Sequence, residues 1–242
     1  MYHTTRQITL AAAVFALILT ACSPSAPATP VPTQSIEALP ASTIAPPVSE
    51  ASPATTDPGS GSSGLVLFVI QPEASQAQFK IDEVLAGSPN TVIGTTAKVA
   101  GEIRLDPAHP DASQVGPITV ETGTLVTDNP FRNRAISSFI LNSGKYPLAT
   151  FTPTALAGMP ASVAVGETFK FTLTGDLTLR DITKPVTFEV TVTAEAADRI
   201  SGKATATVQR ADFGLTIPSV PQVAGVSEDV LLQFDFTAVR SG

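Results

Sequence analysis

The stretch Thr168–Thr193 reads TFKFTLTGDLTLRDITKPVTFEVTVT. Phe169, Phe171, Leu173, Gly175, Leu177 and Leu179 fall on one side of an extended chain. Lys170, Thr172, Thr174, Asp176, Thr178 and Arg180 fall on the other. Strict alternation of this kind predicts a strand with one buried face. Asp181-Ile182-Thr183-Lys184 is expected to turn the chain. Val186, Phe188, Val190 and Val192 then alternate with Thr187, Glu189, Thr191 and Thr193. The first strand spans about 40 Å at about 3.3 Å per residue, well beyond the usual five or six residues. Gly175 interrupts its apolar face where a curved strand has to bend.

The same period extends in both directions. Leu65 to Ile70 and Ala77 to Val84 form a first strand region broken near Pro72, with Ala77, Phe79 and Ile81 on one face. Ser88-Pro89-Asn90 is expected to turn. Thr91 to Asp106 reads as one long strand with Ile93, Thr95, Ala97, Val99, Gly101, Ile103 and Leu105 facing inward. Ile118 to Leu125 alternates more weakly. Leu148 to Ala155 carries Phe151, Ile200 to Gln209 carries Gly202, Ala204 and Ala206, and Val230 to Ala238 carries Leu232, Phe234 and Phe236. About eight strands joined mostly by short turns predict an all-β antiparallel barrel or curled sandwich. An eight-stranded barrel is just wide enough to be filled by its own side chains or to hold one ligand. Small inward residues on two strands leave room in the middle unless phenylalanines from opposite strands fill it.

One segment breaks the alternation. Thr127–Phe151 reads TDNPFRNRAISSFILNSGKYPLATF. Asp128-Asn129-Pro130 is a helix-start signal, because Asp or Asn accepts from the first free N–H groups and Pro tolerates the first turn. Phe131, Ala135, Ile136, Phe139 and Ile140 recur at helical spacing, and Asn142-Ser143-Gly144 is expected to end the helix at its glycine. A short amphipathic plug seated on an open barrel end follows. Arg132 and Arg134 on it either tie the plug to the rim through Asp128 or a nearby carboxylate, or meet a polar lipid head at the barrel mouth.

The chain has 242 residues, but residues 1–63 do not read as a folded domain. Residues 1–21 form a signal-peptide pattern: Arg6, then the apolar run Ile8 to Leu19, too short to span a bilayer comfortably. Leu19-Thr20-Ala21-Cys22 resembles the bacterial lipoprotein cleavage box, in which the cysteine becomes the lipidated first residue. Cys22 is the only cysteine, so an intramolecular disulfide is excluded. Residues 22–64 are dense in Pro, Ser, Thr and Ala, a composition that cannot bury enough apolar surface to offset its ordering entropy, and read as a disordered linker. Residues 65–242 are the domain. Arg6 is the only basic residue before it and Glu37, Glu50 and Asp57 the only acidic ones, which leaves the domain at net −5. That charge argues against nucleic acid and against charge-driven docking on anionic lipid. The expected location is extracytoplasmic, on a membrane surface through lipidated Cys22.

The parts of most catalytic centres are absent. His3 lies in the leader, and His109 sits alone in the Asp106–Asp111 loop. No Cys–His pair and no His-rich metal cluster can form. Glu228-Asp229 is a weak cation signal. The chain is therefore expected to be no enzyme, with no cofactor and no metal. An outer-membrane barrel is disfavoured, since it needs outward apolar bands and aromatic girdles, whereas this domain has no Trp and only Tyr146.

Taken in order, several pieces resemble the YceI-like family of secreted, lipocalin-like bacterial proteins that bind isoprenoid lipids. They are Phe79-Lys80-Ile81, Val92-Ile93-Gly94, Val99-Ala100-Gly101-Glu102-Ile103, Thr127-Asp128 with Arg132-Asn133, and Tyr146-Pro147 with Thr150-Phe151. Thr174-Gly175-Asp176-Leu177-Thr178, Thr183-Lys184-Pro185-Val186, Arg210-Ala211-Asp212-Phe213-Gly214 and Asp229-Val230 complete the set. Asn133, where the family carries an acid, and Phe139-Ile140, where it carries paired aromatics, depart from the pattern. The resemblance implies an extended antiparallel, lipocalin-like β-barrel of about eight strands with one short helix, enclosing an apolar channel for a quinone or polyprenyl lipid. The expected lining is Phe79, Ile81, Ile93, Ala97, Val120, Phe131, Phe139, Phe151, Phe171, Leu173, Phe188, Val190, Ala206, Phe213 and Phe234, with Arg132 and Arg134 at the head group or rim. The rival expectation is a solid-core adhesion or protein-interaction module without a lipid. The sequence leaves the oligomeric state open, a dimer included.

Overall fold

A computed structural model describes residues 64–242. The leader, Cys22 and the linker up to its last residue lie outside the described residues. In chain order the strands are β1 (Val66–Ile70), β2 (Gln76–Leu85), β3 (Ser88–Thr96), β4 (Val99–Ala100), β5 (Glu102–Leu105), β6 (Gln114–Val115) and β7 (Ile118–Glu121). After helix α1 (Pro130–Ala135) come β8 (Leu148–Ala157), β9 (Thr168–Leu179), β10 (Ile182–Ala196), β11 (Arg199–Gln209), β12 (Val223–Ala224) and β13 (Asp229–Arg240).

All pairings are antiparallel. The sheet runs β7–β8–β9–β10–β11–β13. The free edge of β13 is then shared: Val230–Asp235 pairs with β2, and Ala238–Arg240 pairs with β1. Between β1 and β2 the chain bends through a 3₁₀ turn at Pro72–Ala74, where the sequence places a break. β2 pairs with β3 and β1 with β5. Since β3, β4 and β5 follow one another along a single long run, their pairings complete a circuit: β4 returns to β7, with Val99 opposite Val120. Eight strand positions thus form a closed, curled sheet around an apolar interior, as the alternation predicts.

The β9–β10 pair is in register along its whole length. Phe169 faces Val192, Phe171 faces Val190 and Leu173 faces Phe188 on the inner surface. On the outer surface threonine hydroxyls pair across the strands, Thr168 with Thr193, Thr174 with Thr187 and Thr178 with Thr183, at 2.7–2.9 Å. Inside, Phe151 of β8 meets Phe188 edge-on with ring centroids 4.9 Å apart. Each Val, Leu, Ile or Phe fully buried here contributes about 1.5–3 kcal/mol.

Three local expectations are corrected. The turn between β2 and β3 is made by Ala86 and Gly87, both at positive φ (50° and 82°), while Ser88–Asn90 is already strand paired to Leu85–Glu83. Two successive left-handed residues give the twist a tight hairpin needs. The next hairpin likewise turns on Arg180–Asp181, with Arg180 at φ 59°, and Ile182–Lys184 is already paired. The plug helix ends at Asn142, which takes the left-handed conformation (φ 48°) assigned by sequence to Gly144.

The fourth correction changes which residues face inward. Thr91 to Asp106 is not one uniform strand. In β3 the buried residues are Val92, Gly94 and Thr96, so Ile93 points outward and is 44% exposed. At Ala97-Lys98 the chain breaks step: the Val99 N–H donates to Ala97 O (3.0 Å), and Thr96 Oγ1 accepts from the Lys98 N–H (3.0 Å). Inward parity then passes to Val99, Ile103 and Leu105. A one-residue slip exchanges the two faces of a strand, and this one puts Ala97 outside as well.

Small inward residues do not themselves leave the space open. A Cβ on Gly94 would lie 2.2 Å from the Phe79 ring, and one on Gly202 2.6 Å from the Phe236 ring. A Cβ on Gly175 would meet Thr152 O at 2.5 Å and the Phe151 ring at 2.7 Å, beside an irregularity in β8 at Pro153–Ala155. Neighbouring rings occupy these gaps, and the open space lies elsewhere.

Candidate functional site

The open space is a cavity of about 610 Å³ between the inner sheet surface and two covering segments. Its wall is built strand by strand: Phe79 and Ile81 from β2, Val92 from β3, Val120 from β7, Phe151 from β8, Leu177 and Leu179 from β9, Phe188 from β10, Val208 from β11, and Val230 and Leu232 from β13. Phe213, only 1% exposed, sits on a 3₁₀ turn after β11 and adds an aromatic wall. A volume of this size lies within the range of small-molecule sites, and an apolar lining with a few polar groups is their usual make-up.

The first cover is the plug. Asn129 caps α1 by accepting from the N–H groups of Phe131 (2.9 Å) and Arg132 (3.3 Å), and Pro130 opens the first turn, as the sequence predicts. Arg132 then fixes the plug to the rim. Its guanidinium donates to Glu83 Oε1 on β2 (3.0 Å) and pairs with Asp128. Glu83 is itself buried and also accepts from Asn90 Nδ2 (2.9 Å). Asn133 Oδ1 accepts from both the N–H and the hydroxyl of Thr127, each at 2.7 Å, so it braces the plug entry. After α1 the chain widens into a π-type turn, Ile136–Ile140. That turn rotates Phe139 away from the cavity, where it is 69% exposed, while Ile136 is buried and Ile140 lines the wall. Phe131 borders the cavity at the mouth and is 82% exposed.

The second cover was missed by sequence reading. Residues 215–226 cross the mouth, and Leu215, Ile217, Val220, Val223 and Val226 line the cavity. Arg210 holds this loop: its guanidinium donates to Ser227 O (3.0 Å) and Leu215 O (3.3 Å) and pairs with Glu228. β12 within it pairs Val223 with Leu85 and Ala224 with Val84, and the Ala86 N–H donates to Gln222 O (2.7 Å). The signal was present as the apolar, proline-interrupted run Leu215–Val226, which lacks the alternation of a strand.

Behind the main cavity lies a second, entirely apolar chamber of about 70 Å³, lined by Phe171, Val190 and Phe236 among others. Four residues wall both spaces: Ile118, Leu173, Ala204 and Phe234. Loops cover the far end. Met159 and Val163 reach the chamber, and the Val163 N–H donates to Pro107 O (3.3 Å). In the adjoining loop burial works to raise the Asp106 carboxyl. The N–H groups of His109 (3.1 Å) and Ala108 (3.0 Å), helped by the His109 ring, outweigh it and hold Asp106 below its ordinary value. At the mouth end Lys145 Nζ lies 4.8 Å from the centroid of the Tyr146 ring, and the neighbouring Tyr146 side chain holds the lysine above its ordinary value.

Of the fifteen residues expected to line a channel, nine border the large cavity: Phe79, Ile81, Val120, Phe131, Phe151, Leu173, Phe188, Phe213 and Phe234. Phe171 and Val190 border the small one. Ile93 and Ala97 face outward because of the parity switch, and Phe139 because of the π-type turn. Ala206 is buried in the core but touches neither space, whereas Ala204, two residues earlier on the same face, walls both. Arg132 lines the cavity while tied to Glu83 and Asp128. Arg134 is exposed and forms no ion pair among the described residues. Among those residues no group of three or more acidic, histidine or cysteine side chains is placed to hold a metal ion.

Three comparisons bear on the chain. Residues 68–238 match the model of the YceI-like domain. A UPF0312 protein of Pseudomonas putida is 34% identical over 131 residues, 52% of this chain and 64% of that protein, so the chain spans just under two thirds of that relative's length. A UPF0312 protein of Pseudomonas savastanoi is 31% identical over 159 residues, 62% of this chain and 77% of the relative. Among solved structures, a polyisoprenoid-binding domain from Saccharophagus degradans, implicated in plant cell wall breakdown, superposes with a TM-score of 0.58. It is 17% identical and covers 73% of this chain and 99% of its own.

Proposed function

This chain belongs to the YceI-like family, and on that footing we propose that it is an extracytoplasmic binding protein that holds an isoprenoid lipid, of quinone or polyprenyl type, inside its barrel. The observation that carries the reading is the 610 Å³ cavity, whose wall is mostly apolar with a few polar side chains, Glu83, Asp128, Arg132 and Arg210 among them. A solid core, the rival expectation, does not account for a space of that size. The ligand's chemistry follows from the wall. Each methylene buried contributes about 0.8 kcal/mol, while association costs roughly 4–15 kcal/mol, so a short apolar molecule gains too little and a long chain gains enough. The likeness to the Saccharophagus domain supports the same class of ligand.

The test is uptake. Delipidated protein is titrated with a prenyl quinone and with a polyprenyl alcohol, and saturable binding of one molecule per chain is expected. Absence of binding to either would overturn the reading.

The leader carries the second half of the proposal. Lipidated Cys22 tethers the protein to a membrane surface, the 22–64 linker holds the domain off it, and the protein acts as a carrier or store rather than an enzyme. Lipidation with two or more chains gives stable anchoring. Cys22→Ser is expected to move the protein from the membrane to the soluble fraction of a cell lysate, and a mutant that stays with the membranes contradicts the tether.

A further inference from the structure

Two chambers in line, with a shared wall of only four side chains, form more than a container. We infer that the neck made by Ile118, Leu173, Ala204 and Phe234, with the small chamber behind it, measures the length of the bound chain. The inference rests on the lipid-binding reading above and adds to it a size class.

The near chamber sets the main length. An apolar cavity of about 150 Å³ accommodates benzene, which corresponds to about 25 Å³ per carbon. At that ratio about 610 Å³ holds roughly 24 carbons, or about five isoprene units, and about 70 Å³ holds about three carbons. Distance agrees with volume. From Leu179 at the mouth to Leu173 at the neck is about 20 Å along β9 at about 3.3 Å per residue. An isoprene unit adds four chain bonds, about 5 Å at C–C lengths near 1.5 Å. Four to five units therefore run from mouth to neck, and only the chain's last carbons pass beyond it.

The neck is built to stay narrow. Ala204 lies opposite Phe234 on β13 and opposite Val190 on β10, so the one small residue of the four is flanked by large ones. Leu173 is buried and paired with Phe188, and the Phe234 ring stacks at 5.5 Å on Phe236. Beyond them Met159, Val163 and the loop at Pro107 close the path. A longer chain has to leave its surplus at the mouth.

The experiment is a binding series on the delipidated full-length chain, using prenyl alcohols of three to eight units. For the wild type, affinity is expected to rise with each unit to about five or six and then to stop rising. Ala204→Leu fills the neck and is expected to move that plateau one unit shorter. Ala194→Leu, which fills the far chamber without touching the neck, is expected to do the same and serves if the first variant does not fold. Affinity that keeps climbing through eight units in the wild type, or a plateau that neither folded variant moves, overturns the gauge while leaving lipid binding intact. A wild type that binds no prenyl alcohol of any length overturns the lipid-binding reading and the gauge with it.

Discussion

A carboxylate as buried as Glu83, 7% exposed, is stable only with its charge met. Here Arg132 and Asn90 meet it, and the Arg132 contact ties the plug to the rim. Both structural and head-group roles were open for the plug arginines. Arg132 is engaged by Glu83 and Asp128, whereas Arg134 is exposed and forms no ion pair among the described residues. Glu83→Gln keeps the shape and removes the charge. A hydrogen bond to a charged group contributes about 1.5–3 kcal/mol, so the plug should open roughly ten- to a hundredfold more often. Hydrogen exchange of the α1 amides measures this directly. Exchange unchanged in α1 would show that Glu83 does not hold the plug.

At the scale of elements, what could be read from sequence was whatever alternates. β9, β10, β11 and β13 stand where the pattern puts them because each buries one face along its whole length, so a slipped register would expose every phenylalanine. The plug was legible for a different reason: Asn129 and Pro130 carry a helix start in their own chemistry. Features that depend on partners far along the chain were not legible. The parity switch at Ala97-Lys98 is fixed by how β3 and β4 pair with different neighbours, β2 and β7, and no local residue announces it. The turn at Ala86 carries a residue with no left-handed preference, held there partly by Gln222, more than a hundred positions away. The cover formed by residues 215–226 obeys no period at all. It is a loop whose apolar side chains face the cavity because Arg210, β12 and Asp82, which accepts from the Ser227 N–H, pin it at several points. The misplaced site residues follow from these causes: Ile93 and Ala97 from the parity switch, Phe139 from a π-type turn that adds a residue to the helical period, and Ala206 from a choice between adjacent small residues that only the depth of the barrel settles.

On the scale of the whole molecule, the covering elements segregate by end. The plug, the 215–226 cover and the turns at Ala86-Gly87 and Arg180-Asp181 gather at the mouth, while the chain enters at the other end, where Val66 pairs with Leu105 beside the small chamber. Under the proposed tether the linker therefore joins the barrel at the end opposite its mouth. A linker of residues 22–64, at about 3.1 Å per residue, reaches up to about 130 Å when extended, more than three times the roughly 40 Å length of β9. On the proposal that Cys22 is lipidated and the protein acts as a carrier, that reach would let the mouth turn back to the membrane or face away from it. All of this depends on the cavity having an occupant. The most direct measurement is organic extraction of the protein as purified from cells, followed by mass spectrometry of the extract against the protein concentration. An isoprenoid lipid at close to one molecule per chain is expected. An extract with no isoprenoid, or with only trace bilayer phospholipid, from protein that is otherwise folded would contradict it.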